Sequence, residues 1–277
     1  MDTNRTTEAL DCLEAGVKNL CSADAWKNLL KVMSQFHEYS FGNCVLIKSQ
    51  RPDARKVAGF NTWKDIGRSV KKGEKAIFIL APMTKKLEDE ETGETKRKTF
   101  FRPVPVFDIA QTDGDPLPSV VNQLEGDDVG LVFVLTQWAR SQGLTVTQEN
   151  LDGMGINGYF DPRRNAIAIH AGLSLRQQAK TLAHELGHSI MHRDIVDYHN
   201  NRPTAELEAE STAFVILDHF GLDAGEYSFG YVTTWMKGDA EKAIKTIKES
   251  GTKIASTAKT IINGMESLMR ADEQVAA

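Results

Sequence analysis

The chain has 277 residues, of which 41% are hydrophobic and 26% charged, and a formal net charge of −5. These values suit a globular protein of one large or two ordinary domains. No run of about 18 apolar residues reads as a membrane span, so no membrane partner is expected. The opening MDTNRTTEAL has neither the basic nor the apolar region of a signal peptide, and Cys12, Cys21 and Cys44 are odd in number and scattered. A cytoplasmic protein with reduced thiols is the expectation.

Ala25 to Tyr39 predicts an amphipathic helix, with Trp26, Leu29, Leu30, Met33 and Phe36 on one side and Asp24 as its N-cap. From Lys48 to Lys86, eleven Lys and Arg stand against Asp53, Asp65 and Glu74, a local balance of +8, so the rest of the chain carries −13. A basic segment inside an acidic protein points to an anionic partner. Within it, Ala76 to Leu80 predicts a strand and Thr99 to Phe107 its antiparallel partner. The charged stretch from Lys85 to Lys98, with Gly93 inside it, predicts an exposed hairpin loop. Lys and Arg interleaved with Tyr39, Phe60 and Trp63 suit single-stranded nucleic acid, where bases stack and charges follow the backbone. Phe60 and Trp63 suit a hydrophobic core equally well.

Further along, a helix is expected around Leu131 to Gln142, and Gly158 to Ile169 reads as a hairpin turning at Asp161 to Asn165. Ser174 with Gln177 makes a capping box. The helix it opens carries an apolar stripe of Leu175, Ala179, Leu182, Leu186 and Ile190. Thr204 to His219 predicts a second helix, stopped by Gly221. Asp239 to Glu249, closed by Gly251, predicts a third. Ile254, Ala258, Ile261, Ile262 and Met265 outline a last amphipathic helix.

The most informative run is His184-Glu185-Leu186-Gly187-His188, an HExxH pattern. Residues four apart on a helix differ by about 40° around its axis, so both imidazoles share a face. Zinc accepts two such nitrogens, takes a third protein ligand, and keeps a position open for water in catalytic sites. Glu185 sits where it can take a proton from that water. On the second helix Glu206 and Glu210 share a face, while Glu208 points away from them and is expected to matter little for metal. One of the pair would bind the metal and the other hold a ligand imidazole; spacing alone leaves open which. His192, one more turn along, is awkward as a third imidazole ligand and is expected to hydrogen-bond or lie at the surface. His37, His170, His199 and His219 have no such company and read as structural or exposed. Tyr159, Tyr227, Tyr231 and His219 are equal candidates for stabilising an oxyanion.

Two sets of motifs carry a family resemblance. Tyr39-Ser-Phe-Gly-Asn43, Gln50-Arg-Pro, Gly59-Phe-Asn-Thr-Trp63, Gly67 through Lys75, Ala81-Pro82, and Val106 through Gly114 followed by Leu117-Pro118 resemble the N-terminal domain of ArdC-type antirestriction proteins. Thr181 through His188, Glu206-Leu-Glu-Ala-Glu210 and Tyr227 through Tyr231 resemble that family's zincin-like metallopeptidase domain. The resemblance spans about residues 22 to 265. It implies an α+β fold: a single-stranded DNA-binding domain over 1–125, then a gluzincin-like HExxH metalloprotease domain over 126–277 with C-terminal helices. The acidic stretch Asp113 to Asp128 would lie near the boundary. In zincins an edge strand beside the metal pairs with extended substrate, and Ala166 to Ile169 is the candidate. The resemblance puts Glu206 on the metal with His184 and His188, Glu210 behind them with Glu208 at a variable position, and Glu185 as general base. Zn2+ is the implied cofactor, another divalent transition metal being possible. The candidate DNA contacts are Tyr39, Asn43, Trp63, Lys64, Arg68, Lys71, Lys72 and Lys75. Members are encoded by mobile elements and help incoming DNA escape host restriction; a restriction subunit or a repressor would be the protein substrate. Two other functions stay open: a regulatory protease cutting a specific repressor, as related ImmA/IrrE-type gluzincins do, and a purely DNA-coating protein whose metal site does not cut peptides.

Overall fold

The computed structural model describes residues 3–20, 22–88, 95–116, 128–222, 229, 232 and 240–276. Cys21, Gly93, the acidic stretch over 117–127, Tyr227, Tyr231 and Asp239 lie outside the described residues. The chain divides into two compact units, Met1–Asn19 with Gly42–Leu117, and Leu20–Phe41 with Pro118–Ala277. Among the described residues no helix is long and apolar enough to cross a membrane.

In the first unit, helices α1 (Thr3–Lys18) and α3 (Phe41–Gln50, of which Gly42 onward belongs to this unit) accompany a sheet of strand order β1-β4-β3, where β1 is Val57–Ala58, β3 Ile77–Glu88 and β4 Thr95–Asp108. Between them come α4 (Phe60–Asp65) and β2 (Arg68–Val70), which pairs antiparallel with β5 (Thr112–Gly114). The β3–β4 ladder runs from Ile77 opposite Val106 to Glu88 opposite Thr95. Most of the stretch expected as a loop over 85–98 is therefore strand. Lys85 pairs with Lys98 and Lys86 with Arg97 across the two strands, and charged side chains are compatible with a ladder whose backbone groups are satisfied by pairing. Strand β3 is an edge, and two α3 side chains occupy its outer backbone groups. Asn43 donates to Leu80 O at 3.1 Å and accepts from Leu80 N at 2.9 Å, while Gln50 does the same with Phe78 at 2.8 and 2.9 Å. A covered edge does not recruit a stray strand.

In the second unit, α2 (Ala23–Gln35) packs on α8 (Arg202–His219), joined by the Trp26 indole N–H donating to Ser211 Oγ at 3.0 Å. The segment over 20–41, placed in the first domain by the sequence, thus belongs with the second unit, because its Trp26, Leu29, Leu30 and Met33 are buried there. Ser22 rather than Asp24 caps α2, accepting from Ala25 N at 3.1 Å. Helix α5 (Asp128–Ser141) leads into a three-stranded sheet of β6 (Thr145–Glu149), β7 (Gly158–Asp161) and β8 (Ala166–His170). Its strand order is β6-β8-β7, with β6 parallel and β7 antiparallel to β8. The expected hairpin is present, turning at Asn165 with φ +51°. Ala166–Ile169, however, is the central strand, because the non-local parallel pairing with β6 covers its other side. The edge beside the next helix is β7.

That helix, α6 (Leu175–Met191), starts at Ser174, whose Oγ accepts from Gln177 N at 3.4 Å. Ala179, Leu182 and Leu186 are buried as expected, but Leu175 and Ile190, at the ends of the stripe, are exposed. After the short α7 (Ile195–Asn200), α8 ends at Phe220 with Gly221 at φ +73°. The last element, α9 (Ala240–Ala276), runs 37 residues without a break. Gly251 is not a stop. It is the point where α9 meets the buried Phe41 ring, which an added Cβ would overlap. Ile254, Ala258, Ile261, Ile262 and Met265 form the buried stripe of α9.

In an open helix interior Gly→Ala gains about 1 kcal/mol. At Gly251 the overlap reverses the sign, so Gly251→Ala should lower unfolding free energy by about 1–3 kcal/mol. Adding Phe41→Leu should restore part of it; chemical denaturation of the three proteins checks this.

Candidate metal centre and nucleic-acid face

The HExxH run occupies the middle of α6, and its two imidazoles meet Glu206 from the first turns of α8. His184 Nε2 and His188 Nε2 are 3.0 Å apart. Glu206 Oε2 lies 3.4 Å from the first and 3.8 Å from the second. Donors held at about 2.1 Å around a tetrahedral ion stand roughly 3.4 Å from one another, so the three atoms fit a metal ion.

The outward sides of both rings are taken. His184 Nδ1 lies 3.2 Å from Glu210 Oε2, and Lys180 holds the other Glu210 oxygen at 3.4 Å. His188 Nδ1 is 3.0 Å from His192 Nδ1, and His192 Nε2 is 2.8 Å from Glu208 Oε2. Partner chemistry assigns every proton. A carboxylate only accepts, so His192 donates from Nε2 to Glu208, accepts at Nδ1 from the His188 Nδ1–H, and leaves His188 Nε2 a bare lone pair. Glu210 does the same for His184. When both rings are neutral, two lone pairs and a carboxylate oxygen therefore converge on one point.

Glu208, expected to be dispensable, is 2% exposed and hydrogen-bonded to His192 and to Ser250 Oγ at 2.6 Å, with Lys253 at 3.5 Å. It does point away from the Glu206–Glu210 face, as the helical wheel requires. What the wheel does not show is that α6 ends at His192, whose ring turns back between α6 and Glu208. Tyr198, a residue that sequence reasoning passed over, donates to Glu206 Oε1 at 2.6 Å and so aims the other oxygen inward. No local motif marks it.

Electrostatics agree with a site built for positive charge. Burial works against a charged His184, yet Glu206 and then Glu210 outweigh it and raise its pKa to about 9. The His184 and His188 rings beside it hold Glu206 well below the carboxylate range. Burial lifts Glu185 to about 7 despite His184 beside it, and its carboxylate accepts from the Phe160 backbone N–H on β7. A cleft of about 720 Å³ opens over these groups, floored by His184, Glu185 and Glu206 and walled by β7. Gly158 lets β7 lie this close, since a Cβ there would sit 2.6 Å from Thr181 Cγ2 and 2.7 Å from Ala168 O. Of the oxyanion candidates, Tyr159 lines the cleft but donates its hydroxyl to Glu149 at 3.1 Å, and His219 lies in a different cluster.

The candidate DNA contacts divide. Trp63 is 2% exposed, and its indole N–H donates to Phe107 O at 2.8 Å, so its ring is core and not a stacking face. Arg68 is buried, donating to Thr112 Oγ1 at 2.8 Å, Thr112 O at 3.2 Å, Gly114 O at 2.8 Å and Asp115 O. It fastens β2 to β5 and has no reach to a phosphate. Asn43 serves the β3 edge, and Tyr39 falls in the other unit. Lys71 donates to Ala110 O at 3.1 Å from an exposed position, and Lys64, Lys72 and Lys75 are exposed. The exposed aromatics of this unit are Phe60, and Phe100 and Phe101 on β4. On one ladder face Phe100 lies opposite Met83, with Lys85 opposite Lys98 and Ala81 opposite Arg102 as the flanking pairs.

The raised His184 pKa has a consequence for the metal-free protein. A group with pKa 6.5 unfolded and about 9 folded adds stability below the first value and loses it as pH rises through the second. Chelated protein should therefore lose thermal stability between about pH 7 and pH 10, and a divalent ion should remove that loss by replacing the proton. Melting temperatures across this range, with and without zinc, check it.

A model described as the N-terminal domain of anti-restriction factor ArdC matches residues 3–107. An IrrE N-terminal-like model of the M78 peptidases matches 139–231, the stretch that holds His184, Glu185, His188 and Glu206. The crystal structure of the antirestriction ArdC protein from the R388 plasmid, in its metal-free form, superposes with a TM-score of 0.53 at 20% identity, covering 83% of this chain and 85% of that one. An Mn(II)-bound structure of that protein gives 0.47 at 20% identity, covering 81% and 89%. An uncharacterized protein of Bacillus anthracis is 28% identical over 86% of this chain, which spans about half (47%) of that protein's length. With a match to the ArdC N-terminal domain, a match to a metallopeptidase-like IrrE N-terminal-like domain and an ArdC-like fold, the chain is similar to ArdC-type antirestriction proteins.

Proposed function

We propose that the second unit is a zinc-dependent peptidase site and that the first binds single-stranded DNA, so that the protein protects incoming mobile-element DNA from host restriction in the cytoplasm. The observation that carries the peptidase half is the proton assignment: both outward N–H groups are spoken for and three lone-pair atoms face one point. His184, His188 and Glu206 would hold the ion, and Glu210, His192, Glu208 and Tyr198 orient them. A bound zinc ion supplies Lewis acidity and a water of lowered pKa. Glu185, buried and poised at about 7, takes a proton from water and returns it to the leaving amine. Strand β7, the sheet edge beside the cleft among the described residues, offers its remaining main-chain groups to an extended peptide. The peptide would come from a restriction subunit or a repressor, and the match to an IrrE N-terminal-like domain favours the repressor as the second reading.

Glu206→Ala should abolish metal binding at the HExxH site, whereas Glu208→Ala should weaken it there about 10–100-fold by freeing the His188 tautomer. Glu185→Gln should keep metal and fold and lose peptide cleavage. Metal titrations and cleavage of candidate subunits and repressors decide. If metal-loaded Glu185→Gln cleaves as fast as the parent chain, the mechanism fails. If neither protein cleaves anything, the protein is a DNA coat with a non-catalytic metal site.

The DNA half is supported by the ArdC N-terminal match and by Phe60, Phe100 and Phe101, exposed on a unit that also presents Lys64, Lys72, Lys75, Lys85, Lys98 and Arg102. Single strands should bind better than duplex, because aromatic faces stack only on unpaired bases. In the full chain, Lys72→Ala with Lys75→Ala should flatten the log–log salt slope by roughly one unit. Phe100→Ala with Phe101→Ala should weaken binding without changing that slope, at about 1–3 kcal/mol per stacked base. Fluorescence anisotropy at several salt concentrations is the measurement, and equal affinity for single strand and duplex would remove the proposal.

A further inference from the structure

The proton assignment that identifies the HExxH site can be applied to every other histidine of the second unit, and one cluster answers in the same way. His219, at the end of α8, has Nδ1 2.9 Å from Ser34 O. A carbonyl only accepts, so Nδ1 carries the hydrogen and Nε2 a lone pair. That lone pair lies 3.0 Å from Glu266 Oε1 on α9, another acceptor. His37, just past α2, crosses His219 edge to face, with ring centroids 4.5 Å apart and planes at 71°; the His184–His188 pair shows 4.7 Å and 73°. His37, His219 and Glu266 each bring a ligand atom within 4.8 Å of the others. Their side chains are 13%, 8% and 17% exposed.

A proton shared between His219 and Glu266 would satisfy that pair and nothing else. Asn263 lies beside the His37 ring, and its buried Oδ1 and His37 Nδ1 meet without a hydrogen bond of ordinary geometry. The Asn263 amide nitrogen is committed to Glu38 Oε1 at 2.7 Å, which leaves its oxygen free to face the histidine. Glu38 in turn stands 3.6 Å from His37 Nε2 and is held by Lys259 at 2.8 Å. Burial pushes the His37 pKa down and so favours the neutral ring, the form that ligates. A cation uses the His219 and Glu266 lone pairs together with one nitrogen of His37.

We propose that His37, His219 and Glu266 form a second site for a divalent transition-metal ion, with Asn263 Oδ1 at its margin. Two imidazoles and one carboxylate are the donor set of zinc-type ions and do not suit calcium or magnesium, which take oxygen ligands. The ion is structural: it ties α2 to α8 and α9, and Ser34 O orients His219 from behind as a backbone carbonyl orients a ligating imidazole. This site is independent of the peptidase reading.

The test uses the full chain, stripped with a chelator, loaded with Zn2+ alone, desalted and assayed for metal per chain. With the HExxH site disabled by His184→Ala and Glu206→Ala, the protein should retain one zinc ion and melt at a higher temperature with zinc than without. Adding His37→Phe, which keeps a ring in the core and leaves the His219–Glu266 pair intact, should remove both effects. A folded HExxH-disabled chain that binds no zinc overturns the site, as does zinc that persists after His37→Phe. If the disabled chain does not fold, His37→Phe alone gives the answer: the parent chain should lose one equivalent, and an unchanged zinc content overturns the site. A parent chain whose single zinc is lost with His37→Phe would instead sink the HExxH ligand set and leave this site standing.

Discussion

Two imidazole lone pairs 3.0 Å apart repel unless something positive lies between them. That constraint organises much of the second unit. Glu210 and the Glu208–His192 pair hold the rings' N–H groups outward, which forces the lone pairs inward. Each of those acids needs its own support, and Lys180, Ser250 and Lys253 supply it. Ser250 and Lys253 come from α9, so the last helix of the chain helps set the tautomer of a histidine on α6. The network is costly to build, because Glu208 and His192 are removed from water, and such groups persist only when every partner is present.

The sequence made this centre legible where the geometry is local. His184, Glu185 and His188 lie within a single helix whose cap and apolar middle can be read directly, and the four-residue interval puts the imidazoles together. Glu206 and Glu210 follow by the same interval on α8. Legibility ended where a contact depends on how helices meet. Glu208 looks solvent-facing on a wheel drawn for α8 alone, and only the return of His192 at the end of α6 makes it a buried partner. Gly251 looks like a stop because glycine usually is one at a helix end; the Phe41 ring beside it cannot be seen from the local run. Strand β8 looks like an edge because its hairpin partner is local, while its parallel partner β6 is not.

The basic segment shows the same division. Its charge is visible in the sequence, but its use is not uniform. Arg68 is consumed in holding β2 to β5, and Trp63 in holding α4 to β4 through Phe107. The aromatic rings left outside are Phe60, and Phe100 and Phe101 in the stretch expected to be the antiparallel partner strand. Long charged strands need not be half-buried to form, because the ladder itself satisfies the backbone and Asn43 and Gln50 close its far edge.

The path of the chain between the units has a practical meaning for anyone dissecting the protein. The backbone leaves the first unit after Asn19 and rejoins it at Gly42, having supplied α2 to the second. No single cut separates the two. A fragment ending near residue 117 or 125 would carry the Trp26, Leu29, Leu30 and Met33 face with no α8 to cover it, and the complementary fragment would keep an α8 surface stripped of that cover. Each half made alone would be prone to aggregate through the same apolar patch. Moving Leu20–Phe41 as a cassette, with a short linker joining Asn19 to Gly42, is the division that the backbone itself permits.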